Sequence, residues 1–422
     1  MRAALLAIVL LAACGAKTGL DAPDAQIDAG RDAGVDAGMD AGPPPRPCIE
    51  APVDAGTVRA SFDLPASLAV VDLMFLIDST GSMTDEIDAV RAGLRGRVVP
   101  GVRAAIPDAA FGVALFGEFP VVPHGPRGVS PYELRSPITL DVLRVEAALD
   151  RTPVWGNFDD PEAAIEGLFQ VMTGAGYGGP ETPGFIPPSS GCPGGGTGGA
   201  CFRSDALPIV LLITDAPMHN GPPDTPPLAP YMLTPPAHGY EETVDLVRRL
   251  DALVVGVGAS DPGRPAPHDH LRQLARDTGS VDASGEPLWF DIGGRGDRLG
   301  DEIVRAVQFV ASEVPLDVDA AAEDLPGDLV DANDVLRGVR AVAADPPENI
   351  ERIDGDTFIG VIPGTTLTFE VLVDASELPA SSERRVFPAR VVFRASGRSR
   401  LDVREIDIVV PGADGAGCPP ES

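Results

Sequence analysis

The chain has 422 residues and a net charge of −31, from 63 acidic against 32 basic residues. That balance leaves no basic surface to neutralise phosphates, so nucleic acid is excluded as a natural partner, and an anionic membrane surface would repel the protein. The length allows two or three domains with a sizeable core.

At the N-terminus, Arg2 precedes an apolar run over residues 3–13, too short to cross a bilayer and of the length of a secretory signal. Leu11-Ala12-Ala13-Cys14 resembles a bacterial lipobox. The resemblance implies cleavage before Cys14 and acylation of its thiol. With Gly15 following, it further implies an outer-membrane lipoprotein of a Gram-negative cell envelope, held to the membrane only by its lipid. A plain signal peptide containing Cys is the alternative. Residues 14–47 read as a linker, with Asp24, Asp28, Asp32, Asp36 and Asp40 recurring among Ala and Gly and Pro43-Pro44-Pro45 stiffening the end. A solvated tether is the main reading and a calcium-binding acidic repeat the other.

Residues 57–64 alternate, with Val58, Ala60, Phe62 and Leu64 on one face. The apolar runs 71–77, 111–116, 207–213, 252–257 and 288–292 read as strands buried on both faces of a parallel sheet. Ile87, Val90 and Leu94 recur at helical spacing, as do Ile165, Leu168, Phe169 and Met172, and Ile303, Val307 and Val310. The alternation predicts a doubly wound, mostly parallel α/β sheet with helices on both faces over residues 67–313. Residues 173–206 interrupt it as a Gly/Pro-rich insertion with Tyr177, Phe185, Cys192 and Cys201, either a specificity loop or a disordered one. Extended segments at 358–362, 366–373, 389–393 and 401–410 predict a β-sandwich over 314–412, ahead of a tail, 413–422, with Cys418. The segment 48–66 is expected to join that sandwich, which would make the α/β domain an insertion; a strand pairing with nothing there is the alternative. Cys48, Cys192, Cys201 and Cys418 form an even set in an exported chain, with Cys192–Cys201 and Cys48–Cys418 the favoured of three connectivities.

The first buried strand ends in Asp78-Ser79-Thr80-Gly81-Ser82-Met83. One carboxylate and two hydroxyls at alternate positions turn toward one point, Gly81 lets the backbone bend, and such hard oxygens suit Mg²⁺. An ordinary Ser/Thr/Gly turn is the alternative. Asp78-x-Thr80-x-Ser82 resembles the metal-ion-dependent adhesion site (MIDAS) of von Willebrand factor type A (VWA) domains. The resemblance implies two further loops on the same ion, with counterparts in Gly156-Asn157-Phe158-Asp159-Asp160-Pro161-Glu162 and in Thr214-Asp215-Ala216. The former is similar to the second metal loop of integrin β-subunit VWA domains. A central Mg²⁺ held by Asp78, Thr80, Ser82, Asp159, Glu162 and Asp215 is thereby implied. So are Ca²⁺ at an adjacent site formed by Asp85 and Glu86, and a third site where Glu118 meets Asn157, Asp159, the Pro161 carbonyl and Glu162. Glu86 and Glu118 stand where integrins usually carry Asp, and Asp85 and Glu86 equally suit a helix N-terminus.

By this resemblance the chain is a cation-dependent adhesion module that grips an Asp or Glu of a protein partner, and not an enzyme. No Ser/His/Asp nucleophile, phosphate-binding Gly loop or zinc-protease motif opposes that reading. A structural envelope scaffold, its metal only stabilising the loops, is the alternative. His219 is expected at the site rim, His268-Asp269-His270 in a solvated Pro-rich loop, and Arg295-Gly296-Asp297 in a turn.

Overall fold

The computed structural model describes residues 46–259, 265–293, 298–327 and 330–419. The expectations for residues 1–45, lipidation of Cys14 among them, and for residues 295–297 lie outside the described residues.

Strands β1 (Cys48–Glu50) and β2 (Val58–Pro65) precede β3 (Val70–Asp78), whose residues are all buried. A long helical stretch follows: α1 (Thr84–Gly93) runs through π-helical Leu94–Val98 into α2 (Val99–Ala105). Next come β4 (Asp108–Phe116), β5 (Glu133–Thr139), α3 (Val142–Leu149), α4 (Ala164–Thr173) and β6 (Leu207–Thr214). The α/β part closes with α5 (Tyr240–Arg249), β7 (Leu253–Gly258), α6 (His268–Thr278), β8 (Trp289–Asp291) and α7 (Leu299–Glu313).

The sheet order is β5-β4-β3-β6-β7-β8, parallel except for edge strand β5. Its central strand is apolar on both faces because both are covered. Val71, Leu73, Phe75 and Ile77 share a core with Ile87 of α1, Val145 of α3 and Val307 of α7. Met74 and Leu76 pack with Leu168 of α4, Val244 of α5 and Leu274 of α6. The chain winds outward from β3 to β5 and then returns to β6, so the winding reverses between β3 and β6. The crevice beyond their carboxyl ends is where a doubly wound sheet binds ligands.

The remaining strands are β9 (Leu316–Asp324), β10 (Leu336–Asp345), β11 (Arg352–Asp354), β12 (Thr357–Val361), β13 (Thr366–Val373), β14 (Arg385–Ala395) and β15 (Ser399–Val410). They form one sheet of order β1-β15-β14-β9-β12-β11 and another of order β10-β13-β2. In β13 the alternation buries Leu367, Phe369, Val371 and Val373. β2 runs antiparallel to β13, with Phe62 opposite Phe369 and Leu64 opposite Leu367. The short β1 lies parallel to β15, and Cys48 is bonded to Cys418. The α/β segment thus leaves the β-region after β2 and re-enters it at β9, in the other sheet.

Residues 173–206 are packed along the α/β sheet. Tyr177, Ile186, Ala200 and Phe202 are buried, Tyr177 bridges Ile186, Thr197 bridges Phe202, and Cys192 is bonded to Cys201. At the amino ends of β3 and β4, Arg203 donates from Nε to Asp72 Oδ1 at 2.6 Å and from a terminal nitrogen to Asp108 Oδ1 at 2.7 Å. The β14–β15 turn docks on the same end: Arg398 donates to the Arg203 carbonyl at 3.1 Å and the Ser399 hydroxyl to the Val70 carbonyl at 2.9 Å. Replacing Cys192 and Cys201 together by Ser is expected to cost about 2–3 kcal/mol by loop-closure entropy. Urea unfolding checks this, and an unchanged midpoint would contradict it.

Candidate metal centre

Four loops meet beyond the carboxyl ends of β3 and β6, tied by backbone hydrogen bonds. Ser79 N–H donates to the Phe116 carbonyl at 2.8 Å and Trp155 N–H to the Ser79 carbonyl at 2.7 Å. Ala163 N–H reaches Gly117 O, Glu162 N–H reaches Pro217 O, and His219 N–H returns to Glu162 O, each at 2.9 Å. Gly117 gives the Trp155 ring room to enter: a Cβ on it would lie 2.6 Å from that ring.

Asp78 closes β3 and is fully buried. Its Oδ1 accepts from the Thr80 N–H at 2.9 Å and the Thr80 hydroxyl at 2.7 Å, and its Oδ2 accepts from the Thr214 hydroxyl at 2.7 Å. Thr80 Oγ1 lies 3.3 Å from Ser82 Oγ. Burial, and then the charge of Asp215, push the Asp78 carboxyl up to about 7. Asp215 follows the last residue of β6 and is buried.

Glu162 is buried too. Asn157 donates from Nδ2 to Glu162 Oε1 and, at 2.7 Å, to the Asp159 carbonyl, while Glu162 Oε2 has no hydrogen-bond partner. Burial, then Asp78 and Glu118, hold Glu162 well above the usual carboxylate range. Burial does the same to Glu118, whose Oε1 accepts from the Phe119 N–H and the Tyr231 hydroxyl. Four acids therefore crowd one crevice at a free-energy cost that a cation would relieve.

Asp159, expected among the ligands of the central ion, is engaged elsewhere. Its Oδ2 meets His124 Nδ1 at 2.9 Å and His219 Nε2 at 3.2 Å. His219 Nε2 also lies 3.5 Å from Glu118 Oε2. Burial raises the Asp159 carboxyl, but the hydrogen bonds from His219 and His124 outweigh it and hold the group below its ordinary value. The result is a compact group of Glu118, His124, Asp159 and His219. Asp85 and Glu86 are apart from it, in the first turn of α1, with Asp85 exposed and Glu86 buried.

Four residues depart from the sequence reading. His219 is 3 % exposed and belongs to the site, not to its rim. Nothing in the sequence marks His124 or Tyr231 beyond scarcity, since the chain has five His and four Tyr. His270, expected in a solvated loop, is buried: it accepts from the Met218 N–H at 3.0 Å and its other ring nitrogen meets the Thr225 carbonyl at 2.9 Å. It buttresses the chain next to His219.

No protein-family model matches the chain, and no curated protein matches it. Among solved structures it is similar to a von Willebrand factor type A protein from Catenulispora acidiphila, with 14% identity, 87% of this chain and 72% of that chain covered, and a TM-score of 0.37. It is also similar to the pilus adhesin SpaC from Lactobacillus rhamnosus GG in its open conformation, with 11% identity, 85% of this chain and 45% of that chain covered, and a TM-score of 0.35. At these scores neither likeness carries an argument about family or function. The fold rests on its own strand order and helix placement.

Proposed function

We propose that residues 67–313 are a VWA domain with a MIDAS of the integrin β-subunit kind, and that this domain binds a protein partner through a divalent cation. The observation that carries the reading is the donor set beyond β3 and β6. Asp78, Glu162 and Asp215 bring carboxylates, Thr80 and Ser82 bring hydroxyls, and Glu162 Oε2 is buried with no hydrogen-bond partner. Such oxygens fit a hard divalent ion, Mg²⁺ centrally, with Ca²⁺ at an adjacent site near Asp85 and Glu86. When bound, the central ion supplies an open coordination position for an Asp or Glu oxygen of the partner.

The chain's own residues do the positioning. Asp78, accepting at both oxygens, fixes the Thr80 hydroxyl, and the Asn157 amide steers Glu162. Val122, Val154, Phe158, Leu228 and Met232 are exposed large apolar side chains on the loops that build the crevice. Apolar contact area around a central charge suits a protein interface. In this reading the chain is a cell-envelope lipoprotein anchored at Cys14, with residues 14–47 as the tether.

A second reading, an envelope scaffold whose cation only holds the loops, is favoured by the crowded acids alone. A pull-down from envelope extract separates the two. Wild type is expected to retain its partner with Mg²⁺ and release it on EDTA, and Asp78→Ala to bind more than about 100-fold more weakly, a loss of roughly 2.7 kcal/mol. Binding that survives both EDTA and Asp78→Ala refutes the adhesion reading. If the melting temperature also falls on metal removal, the scaffold stands.

A further inference from the structure

We propose that Glu118, His124, Asp159 and His219 form a further cation site, distinct from the central one and from that near Asp85 and Glu86, and that it takes a first-row transition ion of the Zn²⁺ class. One ligand atom from each of the four lies within 4.8 Å of all the others. A tetrahedral shell with bonds of about 2.0–2.1 Å sets its ligand atoms roughly 3.3–3.4 Å apart. The separations here bracket that value: 2.9 Å from His124 Nδ1 to Asp159 Oδ2, 3.2 Å from His219 Nε2 to the same oxygen, and 3.5 Å from His219 Nε2 to Glu118 Oε2.

Proton counting points the same way. His219 Nδ1 lies 2.7 Å from the Ala229 carbonyl, which can only accept, so Nδ1 carries a hydrogen. In the neutral ring Nε2 then presents a lone pair toward two carboxylate oxygens that have only lone pairs of their own. Something positive must lie between them, a proton or a metal ion. Glu118 is fully buried and its Oε2 has no hydrogen-bond partner, nor has Asp159 Oδ1, so the group has ligand capacity to spare.

The supporting shell is the kind that metal-binding imidazoles and carboxylates have. The Ala229 carbonyl fixes the tautomer of His219, and the Tyr231 hydroxyl donates to the far oxygen of Glu118. Two carboxylates neutralise a divalent ion, and two imidazoles favour Zn²⁺ and its neighbours over Mg²⁺ or Ca²⁺, which take oxygen. The site is separate from the proposed grip on a partner, since Asp78, Thr80 and Ser82 take no part in it. It joins the loop after β4, the loop before α4 and the loop after β6.

Co²⁺ is the probe. The full chain, stripped of metal, is titrated with Co²⁺ in excess Mg²⁺, and the intense visible bands of four-coordinate Co²⁺ are followed. One equivalent is expected to bind and to be displaced by Zn²⁺. His219→Ala and His124→Ala are each expected to weaken binding by more than the ~10–100-fold typical of losing an outer-shell partner. Asp78→Ala should keep the bands, which distinguishes this site from the central one. Circular dichroism verifies folding, and if His219→Ala does not fold, His124→Gln decides. Absence of the bands, or bands that persist in the folded His variants, would overturn the proposal in favour of a proton-filled network.

Discussion

Stripped of divalent cations, the protein is expected to lose roughly 4 kcal/mol of unfolding free energy as the pH rises from about 4 to 7. Asp78 sits at about 7 instead of its ordinary 3.8 because it is buried and faces Asp215. The folded chain therefore holds that proton more tightly than the unfolded chain does. The stabilisation is complete below the unfolded value and is lost as the pH climbs through the folded one. Glu162 and Glu118, both held well above the usual range by burial, act in the same direction. Asp159 acts oppositely: held low, it contributes stability that is lost as the pH falls through its folded value. Saturating Mg²⁺ should flatten the slope, since a bound ion does the work of the missing protons. Urea unfolding across this pH range, with and without Mg²⁺, is the measurement. Metal-free stability that stays level or rises with pH would contradict the crowding argument.

Arg203→Met is expected to cost about 3–5 kcal/mol, because it strips a buried carboxylate of its counter-charge. Asp72 is wholly buried within β3, and its two oxygens accept from the Arg203 backbone N–H and Nε. Without the guanidinium, the burial that already raises the Asp72 carboxyl is opposed only by the backbone N–H of residue 203 and the charge of Arg398. Adding Asp72→Asn should recover much of the loss, since a neutral amide avoids the unpaired charge. Because Arg203 lies at the amino ends of the strands, opposite the crevice, cation binding by the folded variant should be unchanged. A stability close to wild type would show that the ion pair only replaces solvation it has lost.

The readable parts of this fold are those where one force acts alone. β3, β4, β6 and β7 carry long apolar runs because helices cover both faces, with charged Asp72, Asp78 and Asp108 the exceptions, and β13 alternates because one face meets a core. α5 and α6 escaped the reading because charged residues fill them, with a narrow apolar face in each; α6 begins in a stretch that reads as a Pro-rich loop. β9 was missed because its Ala- and Asp-rich stretch owes its extended form to pairing with β14 and β12, which no local pattern announces. In the crevice, Asp78 and Asp215 stand out in the sequence because each follows an apolar run, whereas Glu162 is implied only by the resemblance of residues 156–162 to a known metal loop. His124 and Tyr231 reach it from long irregular loops, where no period fixes direction, and only the tertiary fold brings them to Glu118.

The sulfur bridge at the entry to the folded region has a mechanical consequence. Three residues of β1 pair with β15, too few to resist tension for long. With Cys48 bonded to Cys418, a pull on Arg46 divides, part entering β15 in the six-stranded sheet and part passing along the backbone to β2 in the three-stranded one. The α/β segment is joined to the β-region by two chain crossings, from Pro65 to Val70 and from Glu313 to Leu316, and by the docked β14–β15 turn. Force delivered at the crevice therefore passes into both sheets, since β2 belongs to one and β9 to the other.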